Sequence, residues 1–320
     1  MTHILVVGSL HPDAVAMLDA APGVTYELTD GTTEDCYSHR IADADALLIR
    51  TQPLTASTIA KADKLKIVSR HGVGYDAVDV AALSERGIPL CIVGDINSGG
   101  VAEHAMMMML ACVKHAIRAD RSVRHGNWTW RNTLEAGELT GRNLLIIGYG
   151  RIGRRLAALS RAFDMTVRAF DPYLAAQGWP DGDVAPVDDL HAGLAWADAA
   201  SIHAPRSDTP LIGATELSLM KPTAVIVNTS RGGIIDEAAL ADALRKGRIR
   251  AAGLDVFDDE PPAPDHPLFG LDNVLLSPHI AGLTAEGSAR LGQHSIQNIM
   301  DFLAGRLDPA LVVNGVTADA

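Results

Sequence analysis

Short apolar runs rich in β-branched residues alternate along the chain with stretches whose apolar positions recur at helical spacing. Residues 4–7, 46–49, 66–69 and 89–93 read as buried strands, and residues 12–20, 55–62 and 78–86 as amphipathic helices between them, the last stopped by Gly87. The alternation resumes at residues 143–147, 166–170, 199–203 and 224–228. This pattern predicts parallel sheets with helices on both faces, because a parallel crossover needs an intervening helix. A long helical stretch over residues 98–124 separates two such α/β units. Residues 258–267, with four prolines, read as a rigid loop, residues 285–303 as a closing helix, 311–314 as a short strand and 315–320 as a frayed end.

Size and composition narrow the class. A length of 320 residues, at about 150 per domain, predicts two domains. Hydrophobic residues at 48% against 21% charged are enough for a packed core. Thirty-nine acidic against 27 basic side chains give a formal charge of −12, which argues against nucleic acid as a partner, since phosphate neutralisation needs clustered Lys and Arg. The longest apolar run, residues 105–113, is nine residues, and a membrane span needs about twenty, so no membrane partner is expected. Met1 to Gly8 has no basic start and reads as a first strand rather than a signal peptide. Cys36, Cys91 and Cys112 form no CxxC and cannot all pair, which points to a reducing, cytoplasmic location; no metal ligand set is expected.

Two glycine turns stand out. Gly148-Tyr-Gly150-Arg-Ile-Gly153 follows a strand and opens a helix, the context in which the first glycine permits a tight turn, the second lets a pyrophosphate approach, and the third allows close helix–strand packing. Asp171, eighteen residues past Gly153, ends the next strand, where a carboxylate accepts from ribose hydroxyls and repels a 2′-phosphate. NAD is therefore the expected cofactor, with Gly148, Gly150, Gly153 and Asp171 among its contacts. Gly72-Val73-Gly74 also follows a strand and precedes a helix, with Asp95 further on. Spacing alone leaves a second nucleotide site open there.

Three polar residues in the second half each follow an apolar stretch: Arg231 beside two glycines, Glu260 before Pro261, and His279 after Pro278. Ligands of open α/β sheets bind at the carboxyl ends of strands, so the three are expected to share a crevice with the nucleotide. Hydride transfer at a 2-oxo acid needs such a set. A His near neutral pH moves the hydroxyl proton, a carboxylate supports the imidazolium, and a guanidinium grips the substrate carboxylate.

The chain resembles the D-isomer-specific 2-hydroxyacid dehydrogenases, in particular the 3-phosphoglycerate dehydrogenase-like branch. The resemblance runs from Arg70-His-Gly-Val-Gly-Tyr-Asp through Asn97-Ser, Val101-Ala-Glu-His104, Gly148 to Gly153, Arg231 to Asp236 and Asp255 to Pro262, ending at Ser277 to Gly282. It implies a Rossmann NAD domain (98–284) inserted into a flavodoxin-like substrate domain built from 1–97 and 285–320. It also implies a catalytic trio of Arg231, Glu260 and His279, and NAD contacts at Val73, Arg151, Ile152, Ala204, Thr229, Ser230, Asp255 and Gly282. Gly72, Val73 and Gly74 become a loop for the substrate carboxylate, which resolves the second glycine turn.

The expected reaction is NAD-dependent interconversion of a short, doubly anionic D-2-hydroxy acid and its 2-oxo acid. Alternatives within the family are 3-sulfolactate dehydrogenase and glyoxylate/hydroxypyruvate reductase; a rival of another class is an NAD-sensing binding protein. Arg50 is a candidate for the distal anionic group; His71, standing where many relatives carry a small residue before the glycine turn, is expected to alter the acyl side-chain pocket. Arg131, in the arm region of a homodimer implied by the resemblance, is a candidate to reach a neighbouring copy's substrate. The chain stops soon after its closing helix, so control through appended regulatory domains is not expected.

Overall fold

The computed structural model describes residues 1–182 and 184–316; the remainder of the segment expected to fray, 317–320, lies outside the described residues. The chain divides into two compact units, Met1–Asn97 with Thr284–Ala320, and Ser98–Leu283.

The first unit holds a five-stranded parallel sheet of β1 (Thr2–Val7), β2 (Val24–Thr29), β3 (Ala46–Ile49), β4 (Ile67–Arg70) and β5 (Leu90–Cys91), in the order β2-β1-β3-β4-β5. Strands β1 and β3 are buried on both faces, which is why they read as unbroken apolar runs. The closing helix Ala285–Leu303 packs on this sheet, where the Ser69 hydroxyl donates to the Ser295 carbonyl at 2.8 Å. Two expectations change. Edge strand β2, Val-Thr-Tyr-Glu-Leu-Thr, is half-exposed and carries no continuous apolar run. Residues 311–314 form only an isolated bridge from Val312 to Cys91 after a 3₁₀ turn at Pro309–Leu311, because β5 offers them a two-residue edge.

The second unit holds a seven-stranded parallel sheet of β6 (Asn143–Ile147), β7 (Thr166–Phe170), β8 (Ala185–Pro186), β9 (Ala199–Ile202), β10 (Val225–Asn228), β11 (Ala251–Leu254) and β12 (Val274–Leu276). Its order, β12-β11-β10-β9-β6-β7-β8, reverses direction between β6 and β9, as in dinucleotide-binding sheets. The long stretch expected over 98–124 is two helices, Ser98–Lys114 and Ala116–Arg124, broken at His115 with φ +49°. The break falls where helix carbonyls find other donors: the Val113 carbonyl accepts from Gly137 N at 2.9 Å and from Arg250 at 3.2 Å. Strand β11, Ala-Ala-Gly-Leu, has weak strand character of its own. A Cβ on Gly253 would lie 2.9 Å from Met108 Cβ, so its small residues let the first helix pack close. Among the described residues no helix is long and apolar enough to cross a membrane.

Candidate active site

Every expected site residue of the second unit except Arg131 lies in a loop that follows a parallel strand or, for Arg151, Ile152 and Gly153, in the first turn of the helix after it. Gly148 ends β6 with φ +93°, and a Cβ on it would stand 2.6 Å from the His203 carbonyl oxygen and 2.9 Å from Ala204 N. The turns after β6 and β9 thus meet backbone to backbone at the reversal point. A Cβ on Gly153 would lie 2.4 Å from the Gly148 carbonyl oxygen, so helix Arg151–Arg161 seats on its strand only through glycine. Gly150 differs, since beyond its own chain neighbours nothing among the described residues lies within 4 Å of its would-be Cβ. It opens onto the first turn, Arg151 and Ile152, of an eleven-residue helix with no side-chain N-cap. Free N–H groups beside open space suit a pyrophosphate.

Asp171 closes the other side. Its Oδ2 accepts from Tyr149 N and its Oδ1 from Leu174 N, both at 2.9 Å, so the carboxylate is fixed to the glycine turn. A carboxylate offers about four lone-pair sites, which leaves capacity for ribose hydroxyls. Thr229 is buried, and its Oγ1 has no hydrogen-bond partner among the described residues. A buried hydroxyl in that state is costly unless a ligand or water satisfies it. The open Gly150 approach, the anchored acid and the orphan hydroxyl together fit NAD.

After β10, Asn228 shapes the loop. Its Oδ1 accepts from Ser230 N at 3.0 Å and Ser230 Oγ at 2.8 Å, while its Nδ2 donates to the Arg231 carbonyl at 2.8 Å. Gly232 is obligatory there, because a Cβ would fall 1.7 Å from the Phe257 carbonyl oxygen. Glu260 Oε2 and His279 Nδ1 are 2.7 Å apart, and Glu260 Oε1 accepts from Phe257 N at 3.0 Å. Burial works to raise the Glu260 pKa, yet hydrogen bonds from His279 and Phe257 N and the charges of His279 and Arg231 together hold it below the ordinary value. Arg231 is thereby close enough for its charge to act on Glu260.

Asp255 organises the histidine loop. It is fully buried and accepts from the Ser277 hydroxyl, from Ile280 N at 2.9 Å and from Ala281 N at 2.8 Å. His279 N donates to the Asp255 carbonyl at 2.7 Å, holding His279 at φ +53°, a strained setting for a residue with a side chain. His104 Nε2, 2.9 Å from Ser277 Oγ, completes this cluster. Asp255, expected among the NAD contacts, has a carboxylate that anchors the loop carrying His279 and leading to Gly282. Sequence reading gave no role to Asn228, Ser277 or His104, although Ser277 and His104 lie inside the quoted motifs.

The remaining expected residues belong to other segments of the chain. Arg131 is exposed in the 3₁₀ turn Trp128–Thr133. In the first unit, Arg50 follows β3 and donates to the Ser9 carbonyl at 2.7 Å and to Ser9 Oγ at 3.0 Å. His71 follows β4, buried, with Nε2 lacking a partner among the described residues. Burial chiefly, with the Arg50 charge, pushes its pKa down to about 4. Gly72 adopts φ +151°, and Val73 and Gly74 after it are half-buried.

Residues 106–281 match the family model described as D-isomer specific 2-hydroxyacid dehydrogenase, NAD binding domain. The chain is 39% identical over 310 residues to a D-3-phosphoglycerate dehydrogenase of Methanocaldococcus jannaschii, covering 96% of this chain and 58% of that protein. It thus spans less than two thirds of that relative's length. A hydroxypyruvate reductase of Thermotoga maritima is 38% identical over 270 residues, covering 82% of this chain and 86% of that protein. Among solved structures, a D-lactate dehydrogenase from Aquifex aeolicus complexed with NAD and lactic acid superposes with TM-score 0.85 at 27% identity, covering 98% of this chain and 99% of that one.

Proposed function

We propose, for a chain that belongs to the D-isomer specific 2-hydroxyacid dehydrogenase family, that it is an NAD-dependent oxidoreductase interconverting a short D-2-hydroxy acid and its 2-oxo acid. The observation that carries the reading is the 2.7 Å bond between His279 Nδ1 and Glu260 Oε2 within the field of Arg231. With Nδ1 committed, Nε2 is the nitrogen left to take the substrate hydroxyl proton in oxidation and return it in reduction. The carboxylate stabilises the imidazolium so formed. Arg231 holds the substrate carboxylate and polarises the reacting carbonyl. NAD, when bound, supplies the nicotinamide that accepts hydride from C2. Gly150, Arg151, Ile152, Asp171, Ala204, Thr229 and Ser230 are the residues to hold it, with Gly282 beside His279.

A second anionic group on the substrate is supported by the first unit taken alone. Its sheet order reverses between β1 and β3, and at that end stand Gly8, Ser9, Arg50 and His71, with the Gly72–Gly74 turn after β4. A guanidinium beside a buried, unpartnered imidazole suits an anion. D-3-phosphoglycerate and 3-sulfolactate have this chemistry. Hydroxypyruvate or glyoxylate is a second reading, favoured by the 38% identity over 270 residues to the hydroxypyruvate reductase. Exposed Ile117, Val123, Trp128 and Leu134 support a homodimer joined through that arm, in which Arg131 reaches the other copy's substrate. Three unpaired thiols support a cytoplasmic location.

The test is His279→Ala and Arg231→Ala. Each is expected to cut turnover by at least about 10³-fold while NAD binding, followed by fluorescence titration, is retained. Ordinary turnover in either variant rules the assignment out.

A further inference from the structure

Glu260 is presented by a loop with little regular structure, and its register depends on a carboxylate outside the trio. Glu237, the first residue of helix Glu237–Arg245, spends both oxygens on that loop. Oε1 accepts from Asp258 N at 2.9 Å and Oε2 lies 2.8 Å from His266 Nε2. Both side chains are largely buried, 15% exposed for Glu237 and 11% for His266, so the contact is not a solvated surface pair. The His266 ring sits between Phe257 and Phe269, with centroids 5.6 and 5.3 Å away. Phe257 in turn donates its N–H to Glu260 Oε1. On the outer side Arg206 pairs with Asp258 at 2.6 Å and lies against Gly233, tying the loop to that of Arg231. One carboxylate thus fastens the loop two residues before Glu260 and six after it.

We infer that Glu237 and His266 form a brace, a second histidine–carboxylate pair that holds the Glu260 carboxylate at bonding distance from His279. They are positioning residues, and the inference rests on reading Glu260–His279 as the acid–base pair. Removing Glu237 leaves Asp258 N and His266 without their acceptor in a place where unsatisfied groups are costly. The loop is then free to carry Glu260 away. A displacement of about 1 Å at a reacting centre costs on the order of 10²-fold in rate.

The test reads His279 directly. Its imidazole titration midpoint is followed by NMR in the wild-type chain, Glu260→Gln, Glu237→Ala, Glu237→Gln and His266→Ala, with His279→Ala to assign the resonance. The midpoint is expected to fall in Glu260→Gln, and to fall in the same direction in Glu237→Ala and His266→Ala. Glu237→Gln keeps an acceptor for Asp258 N and is expected to fall between. Reduction of hydroxypyruvate, used as a probe, is expected to lose kcat about tenfold or more at neutral pH in Glu237→Ala, with little change in KM and partial recovery at lower pH. Thermal melts report folding separately; should Glu237→Ala not fold, His266→Ala and Glu237→Gln carry the same readout. A midpoint that moves in Glu260→Gln but stays at the wild-type value in the Glu237 and His266 variants overturns the brace. A midpoint unmoved even in Glu260→Gln overturns the underlying acid–base reading as well.

Discussion

The two glycine turns look alike as text and differ as objects. Directly after Gly150 an eleven-residue helix starts, with Gly153 in its first turn, and Gly148 and Gly153 are forced by backbone within 3 Å of where a side chain would begin. After Gly72 and Gly74 the next helix waits until Val80, runs only six residues, and has its N-terminus capped by Asp79, which accepts from Ala82 N at 3.0 Å. For a Cβ on Gly72 the nearest atoms beyond its chain neighbours are those of the Arg70 guanidinium, 3.5 Å away. What separates a pyrophosphate turn from a smaller anion loop is therefore what the glycines touch and whether an uncapped helix follows. Spacing does not carry that information.

The sharpest way to break the comparison is Gly153→Val. Its side chain meets backbone, and a loss of about 3 kcal/mol or more is expected in denaturant melts. Gly72→Ala, at a strained φ but with room, is expected to cost only about 1 kcal/mol. Next comes a cross of Gly150→Ala with Gly72→Ala. The first is expected to leave the melt unchanged and weaken NAD binding about tenfold or more, because its methyl fills space that only a ligand needs. The second is expected to raise KM for the acid and leave NAD affinity alone. The reverse pattern in titrations and initial rates means that the roles of the turns are exchanged.

A last effect builds up only with acid and concerns a feature the turns share, a buried neutral histidine. Burial depresses the His71 pKa to about 4 and that of His203, whose carbonyl abuts Gly148, to about 3, against 6.5 when exposed. Below pH 6.5 the unfolded chain takes up protons that the native state refuses, so stability falls with pH. The fall is about 1.4 kcal/mol per pH unit for each histidine until the folded value is reached. His71→Asn and His203→Asn are each expected to flatten the acid limb of a stability–pH curve by about one proton.

Much of this was legible in the chain. The unbroken apolar runs of β3, β6 and β10 announced fully buried parallel strands, and the positions of Arg231, Glu260 and His279 after strands announced a shared edge. Strand β2 and the break at His115 were hidden for physical reasons. An edge strand needs no continuous apolar run, and a helix ends where a distant residue such as Arg250 captures its carbonyl, which no local window reveals. The supports of the site were hidden likewise. Ser277, His104, Glu237 and His266 act through partners 22 to 173 positions away, and each read alone is an ordinary polar residue.

The most direct measurement is NADH formation by the purified chain, wild type beside His279→Ala, with D-3-phosphoglycerate, both enantiomers of 3-sulfolactate, D-lactate and D-glycerate, and with NADP in a parallel series. Turnover with NAD on one doubly anionic D-acid, lost in His279→Ala while NAD still binds, is the expected result. Tight NAD binding with no turnover on any acid, or equal turnover in His279→Ala, contradicts the assignment of His279 and Glu260 as the proton-transfer pair.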